Sequence, residues 1–129
     1  MDGVPWAVLV SSQGGRLVVG PERHPIGTVN RKPSSLGFGP VSIGYVTALG
    51  ERRVFIHGTA LRAMDHVRIE DEAGRDMEVA VVGASDDLGC TVFLALPRRR
   101  PVRLIGTLRN GDGAFLNLDP LASRFTFLE

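Results

Sequence analysis

No window of this chain sustains an apolar period of 3.6 over ten or more residues, whereas period-two alternation recurs through most of its length. Val41, Ile43, Tyr45 and Thr47 alternate with Ser42, Gly44, Val46 and Ala48. His66-Val67-Arg68-Ile69-Glu70 places Val67 and Ile69 on one face and three polar side chains on the other. A helical bundle is thereby excluded. The 16 glycines and 8 prolines are spread along the chain and punctuate it into short segments, and 15 Val, 5 Ile and 6 Thr favour extended backbone within them. The expectation is an all-β, antiparallel, immunoglobulin-like sandwich of about seven to nine short strands, with a small β-barrel as the alternative.

A single β domain over residues 1–129 suits the length, and a chain of this size buries roughly 65% of its unfolded surface without needing disulfides or metal. Cys90 is the only cysteine, which excludes an internal disulfide and a cysteine-rich metal site. Fifteen Lys plus Arg against 14 Asp plus Glu leave a net charge of +1, so no global field holds a polyanion or an anionic membrane. Nucleic acid is a disfavoured partner on that ground. The longest apolar run, Trp6 to Val10, is far below the ~20 residues of a membrane-spanning helix. Met1-Asp2-Gly3-Val4-Pro5 carries no basic or apolar leader pattern, so the cytoplasm is the default expectation and the compartment stays open.

Along the chain, Trp6 to Val10 and Arg16 to Val19 flank Gln13-Gly14-Gly15 as a hairpin. Residues 20–40, with Pro21, Pro25, Pro33 and Pro40, show no period and read as one long irregular loop. Arg52 to Gly58 puts Val54 and Ile56 on one face and Phe55 and His57 on the other. Thr59 to Met64 fits a helical turn or a bend. Asp71-Glu72-Ala73-Gly74 turns the chain into a return strand carrying Met77, Val79 and Val81, expected to pair with 66–70. Cys90 to Leu96 is apolar on both faces and reads as a central strand. Val102 to Arg109, the turn Asn110-Gly111-Asp112-Gly113, Ala114 to Leu118 and a possible last strand Phe125-Thr126-Phe127 complete the pattern. The expected core is Val54, Ile56, Val67, Ile69, Val79, Val81, Val92, Leu94, Leu104 and Leu108.

Several of these segments together resemble a known class of module. Val54-Phe55-Ile56-His57-Gly58, the hairpin around His66-Val67-Arg68-Ile69 and Asp71-Glu72-Ala73-Gly74-Arg75, Val92 to Pro97, and Val102 to Gly106 before Asn110-Gly111-Asp112-Gly113 follow one order. That order resembles bacterial immunoglobulin-like or fibronectin-like modules, especially of actinobacterial envelope proteins, over about half the chain. The resemblance implies a sandwich with a structural or binding role; the antibody-type Cys, Trp, Cys framework is absent. Arg53 to Leu61 with Gly74 to Leu96 also resembles the first barrel of trypsin-like peptidases. On that pattern Asp87 takes the aspartate position, but Thr59 stands where the histidine belongs, and no Gly-Asp-Ser-Gly segment follows. Without a base and an activated nucleophile, peptidase activity is not implied.

The candidate chemical motifs are incomplete. Asn110-Gly111-Asp112-Gly113 with Asp119 matches part of a calcium loop, but Leu108 occupies its first ligand position. His24, His57 and His66 lack ligand spacing, and Ser11, Ser12, Ser34 and Ser35 sit outside any nucleophile elbow. No cofactor is expected. Arg98-Arg99-Arg100 with Arg103 is the one local charge concentration, a candidate contact for a polyanion or an acidic partner. No aromatic residues interleave with these arginines as base stacking would require. The reading is a non-enzymatic structural or interaction module that contacts a protein partner or a second copy through sheet edges and loops. The alternative is a small barrel binding nucleic acid or another polyanion through residues 98–103.

Overall fold

The computed structural model describes residues 3–11, 14–29, 37–48, 50–61, 64–82, 90–108 and 110–127. Eleven strands account for most of them: β1 (Trp6–Ser11), β2 (Gly14–Val19), β3 (His24–Val29), β4 (Phe38–Ala48), β5 (Glu51–Leu61), β6 (Met64–Asp71), β7 (Asp76–Met77), β8 (Ala80–Val82), β9 (Cys90–Ala95), β10 (Pro101–Leu108) and β11 (Gly113–Asn117). One short helix, α1 (Asp119–Ala122), follows. All strand pairings are antiparallel, so the fold is an all-β sandwich. The strands exceed the seven to nine expected because a long apparent loop and one apparent strand each resolve into further pairings.

Three open sheets are stacked. An N-terminal sheet has the order β1-β2-β3, a central sheet β4-β5-β9-β8 and a distal sheet β11-β10-β6-β7. Each order has two free ends, so among the described residues the sheets do not close and the small-barrel alternative falls. The reason for three layers lies in β5 and β9, whose residues are buried on both faces, Arg53–Ala60 and Cys90–Ala95. A strand apolar on both faces must be covered twice. Phe55, Cys90, Val92, Leu94 and Leu96 meet Leu17 and Val19 of the N-terminal sheet, with Trp6, Val8 and Ile26 packed against them. Ile56, Ala60, Phe93 and Ala95 meet Ile69 and Leu104 of the distal sheet, joined by Phe38, Met64 and Leu118. The expectation of a central strand at Cys90 to Leu96 is met by β9, flanked by β5 and β8.

Two segments differ from the sequence reading. The stretch 20–40 is not one loop, because β3 pairs with β2 from His24 to Val29 and β4 begins at Phe38; residues 30–36 lie outside the described set. Pro25 masked β3. It is tolerated on this edge strand beside a register shift at Leu17/Val18, where no continuous ladder needs its missing N–H. The supposed return strand through Met77, Val79 and Val81 is also divided. Asp76–Met77 pairs with β6 in the distal sheet, and after Glu78 and Val79 the chain crosses to the central sheet, where Ala80–Val82 pairs with β9. Val81 is therefore 47% exposed on an edge, outside the core expected for it, and Val67, Val79 and Leu108 are half-buried. The remaining expected core residues are buried.

Thr59 to Leu61 continue β5 with no helical turn, and Phe125 to Phe127 form no strand. That final segment instead straps β4: the Phe125 and Tyr45 rings lie 5.0 Å apart, and the Thr126 N–H donates to the Tyr45 hydroxyl at 3.0 Å. The Arg52 guanidinium caps the same tyrosine ring at 3.9 Å from its centroid. Among the described residues, no helix is long and apolar enough to cross a membrane.

Candidate functional site

The arginine turn spans Leu96 to Arg100, carrying the chain from β9 in the central sheet to β10 in the distal sheet. Each arginine meets a carboxylate from a different element. Arg98 Nη2 lies 3.6 Å from Glu51 at the start of β5, and Arg100 Nη2 lies 2.7 Å from Asp119 of α1. Arg99 Nε donates to Asp71 Oδ2 at 2.8 Å, at the end of β6. Arg103, further along β10, reaches Glu70 at 4.0 Å. The structure thus brings Arg98, Arg99 and Arg100 together on one turn but directs them to separate partners. Beneath the turn, buried Arg53 donates from Nη2 to the Leu96 carbonyl.

Asp71 organises this corner because its other oxygen, Oδ1, accepts the backbone N–H groups of Ala73 and Arg75, both at 2.9 Å. Such bonding fixes the β6–β7 turn, where Gly74 adopts φ +77°. The Arg75 N–H, then Arg99 and the Ala73 N–H, hold the Asp71 carboxyl below the usual carboxylate range against the opposing effect of burial. Two shallow grooves flank the turn. One is lined by Asp76, Met77, Glu78, Pro97 and Arg99, the other by Asp71, Glu72, Arg75 and Arg100, so both mix charge signs. A phosphate at either groove would compete with carboxylates already in place.

The remaining sequence-level motifs are dispersed. His57 is buried on β5, His66 is exposed on β6 and His24 is exposed on β3. Thr59, at the peptidase-like histidine position, is buried in the core, and Asp87, Ser12, Ser34 and Ser35 lie outside the described residues. In the Asn110–Gly113 turn, Asn110 Oδ1 accepts the Asp112 N–H at 3.0 Å and Asn110 Nδ2 donates to Asp112 Oδ2 at 3.1 Å. These side chains serve the turn itself.

A different surface emerges from the sheet edges. β11 is the last strand of the distal sheet, and Phe115 at its centre is 67% exposed, more than any other large apolar side chain among the described residues. The other distal edge, β7, has two residues; β8 has three, β3 carries Pro25 and β4 carries Pro40. Short strands and proline are ordinary protections for edges. β1 and β11 carry no proline, and of the two only β11 presents an exposed aromatic side chain, where β1 presents Leu9 at 41%. Phe115 belongs to no chemical motif, although a signal for it is present in Ala114-Phe115-Leu116-Asn117. Ala114 and Leu116 hold the core phase and Phe115 is an aromatic in the polar phase. Compared with protein-family models, curated proteins and solved structures, the chain matches none of them.

Proposed function

We propose that this chain is a non-enzymatic interaction module that pairs another extended strand along β11, with Phe115 as the anchor. The observation that carries the reading is the 67% exposure of Phe115 on an unprotected terminal strand. An open edge offers backbone N–H and C=O groups in register, and an aromatic side chain on it supplies buried area at low entropic cost. A second copy is the simplest partner. Antiparallel pairing centred on Phe115 sets Gly113 against Asn117 and Ala114 against Leu116 of the second copy, so the two strands are self-complementary about a two-fold axis. Five paired residues form a small interface, so the association is weak and concentration-dependent.

Sedimentation equilibrium over a concentration series should show the mass rising toward a dimer, and Phe115→Thr should return it to a monomer. A mass that stays monomeric throughout the series overturns the self-pairing. The rival reading, polyanion binding through Arg98, Arg99, Arg100 and Arg103, predicts affinity for a single-stranded oligonucleotide that falls steeply with salt. Strand-edge pairing is far less salt-sensitive, so one titration distinguishes the two.

A further inference from the structure

The layer between the N-terminal and central sheets contains a titratable group in an unusual place. His57 is 4% exposed and faces the N-terminal sheet from the middle of β5. Its ring stacks on Phe55 with centroids 5.6 Å apart and an interplanar angle of 21°. Above it, β3 passes so close that a methyl group at Gly27 would overlap the imidazole. One interaction with the Ile26 backbone serves the ring, while Nε2 is buried without a hydrogen-bond partner. The site accommodates a neutral imidazole. Among the described residues, nothing accepts a second N–H there.

The groups around the ring make protonation still harder. From β3 it meets Ile26 and Gly27; His24 on that strand is exposed. The apolar cluster of this layer comprises Leu17 of β2, Trp6 and Val8 of β1, and Val92 and Leu94 of β9, with Leu94 the register partner of His57. Arg16 of β2 is exposed. On β4 the register partner is Ser42, and Cys90 of β9 is a buried thiol that burial pushes above its ordinary pKa. Along β5, Arg53 projects to the same face and is itself a buried cation. The only buried carboxylate among the described residues, Asp71, lies in the distal corner. A proton on His57 would therefore be desolvated, with no buried carboxylate in this layer among the described residues to answer it.

From this packing we propose that His57 is a proton-operated release for the N-terminal sheet: a neutral ring keeps β1–β3 docked on the central sheet, and a protonated ring undocks them. The topology permits such a step, because β1, β2 and β3 are consecutive in the chain and pair only with one another among the described residues. Their attachment to the central sheet is the layer that contains His57. Burial pushes the imidazole pKa below its ordinary value, with the Ile26 hydrogen bond opposing it more weakly. Docking is accordingly complete above about pH 6.5 and weakens as pH falls below it, by up to about tenfold for each unit that the folded and free pKa values differ. Release would expose Leu17, Val19, Phe55 and Leu94, an apolar surface held closed at neutral pH.

Trp6, the sole tryptophan, packs against this layer and reports on it directly. With the full chain, Trp6 emission should shift to longer wavelength as pH falls from about 6.5 to about 4.5. Over the same range, amide protection in residues 6–29, corrected for intrinsic exchange, should fall about tenfold or more while protection in β9 and β10 is retained. His57→Gln should abolish the acid response, leaving emission and protection level across that range. An identical response in wild type and His57→Gln overturns the proposal. Should the variant fold poorly, imidazole NMR of the unmodified chain decides the matter: His57 titrating at or above about 6.5 overturns it, and titration well below that value, together with loss of 6–29 protection, supports it.

Discussion

Strand β5 sends Arg53, Phe55, His57 and Thr59 toward the N-terminal sheet and Val54, Ile56 and Ala60 toward the distal sheet, so one strand builds two dissimilar layers. On the distal side the filling is mainly apolar, with Phe38 and Phe93 edge to face at 6.0 Å and 80° and Thr91 a buried hydroxyl in the same phase of β9. On the N-terminal side, polar groups lie among the aliphatic side chains. Glycines allow close approach in both layers, Gly27 against His57 and Gly44 against Phe55 on this side and Gly106 against Met64 and Phe38 on the other. The chain path sharpens the contrast. β4 and β5 lie in the central sheet, β6 and β7 in the distal, β8 and β9 in the central, and β10 and β11 in the distal, whereas β1–β3 form a sheet by themselves. Central and distal sheets are thus interleaved and separate only by unfolding. The N-terminal sheet can leave as a unit.

The strongest way to break the interleaved pair is at Phe93, which is fully buried on β9 facing Phe38. Phe93→Ala should cost about 3 to 5 kcal/mol, read as a lowered midpoint of denaturant unfolding with the central and distal sheets unfolding together. If hydrogen exchange showed β9 and β10 losing protection in separate steps in this variant, the interleaving argument would fail. Leu17→Ala attacks the other layer, since Leu17 is fully buried against the central sheet. Its cost should be about 2 to 3 kcal/mol, and hydrogen exchange should place the loss in residues 6–29 before β9 or β10. Uniform loss across all three sheets would show the layers to be one cooperative unit.

Gly27→Ala tests the close approach alone. The added methyl would overlap the His57 ring, and the ring is held by Phe55 below it, so about 1 to 3 kcal/mol of overpacking is expected in thermal or denaturant melts. Combining it with His57→Ala should recover part of that cost. No recovery would mean that the ring is not what Gly27 accommodates.

How much of this could be read from the chain follows from range. β6 was legible because His66 to Glu70 alternates in one sheet with one wet face, and β9 because both of its phases are apolar. Alternation does not say which sheet a strand joins. The run Met77, Val79, Val81 keeps its period across Glu78, where the backbone leaves the distal sheet for the central one. β3 was hidden by Pro25, a residue that signals a break in isolation and is tolerated on an edge. The arginine run was visible at once, but its partners were not. Arg99 is answered by Asp71, 28 positions away, and nothing local encodes that pairing.

The smallest effect, and the one that most directly sets the two layers apart, concerns acid. Asp71 is held ionised by the Arg75 N–H first and by Arg99 and the Ala73 N–H after it, so its folded pKa lies below the unfolded value. Stability from this group is present above about pH 4 and is lost as pH falls through the lowered folded value, because the unfolded chain then binds the proton more readily. His57 has the opposite arrangement of charge and a different window: docking of the N-terminal sheet weakens already as pH drops below about 6.5. Acid titration of the intact chain should therefore show two steps, the first in Trp6 emission and the second, below about pH 4, in circular dichroism. Asp71→Asn keeps an oxygen for the Ala73 and Arg75 N–H groups but turns an amide toward Arg99, which should flatten the second step and leave the first untouched. A lower step unchanged in Asp71→Asn would remove Asp71 from the distal corner's acid response and leave the contrast resting on His57 alone.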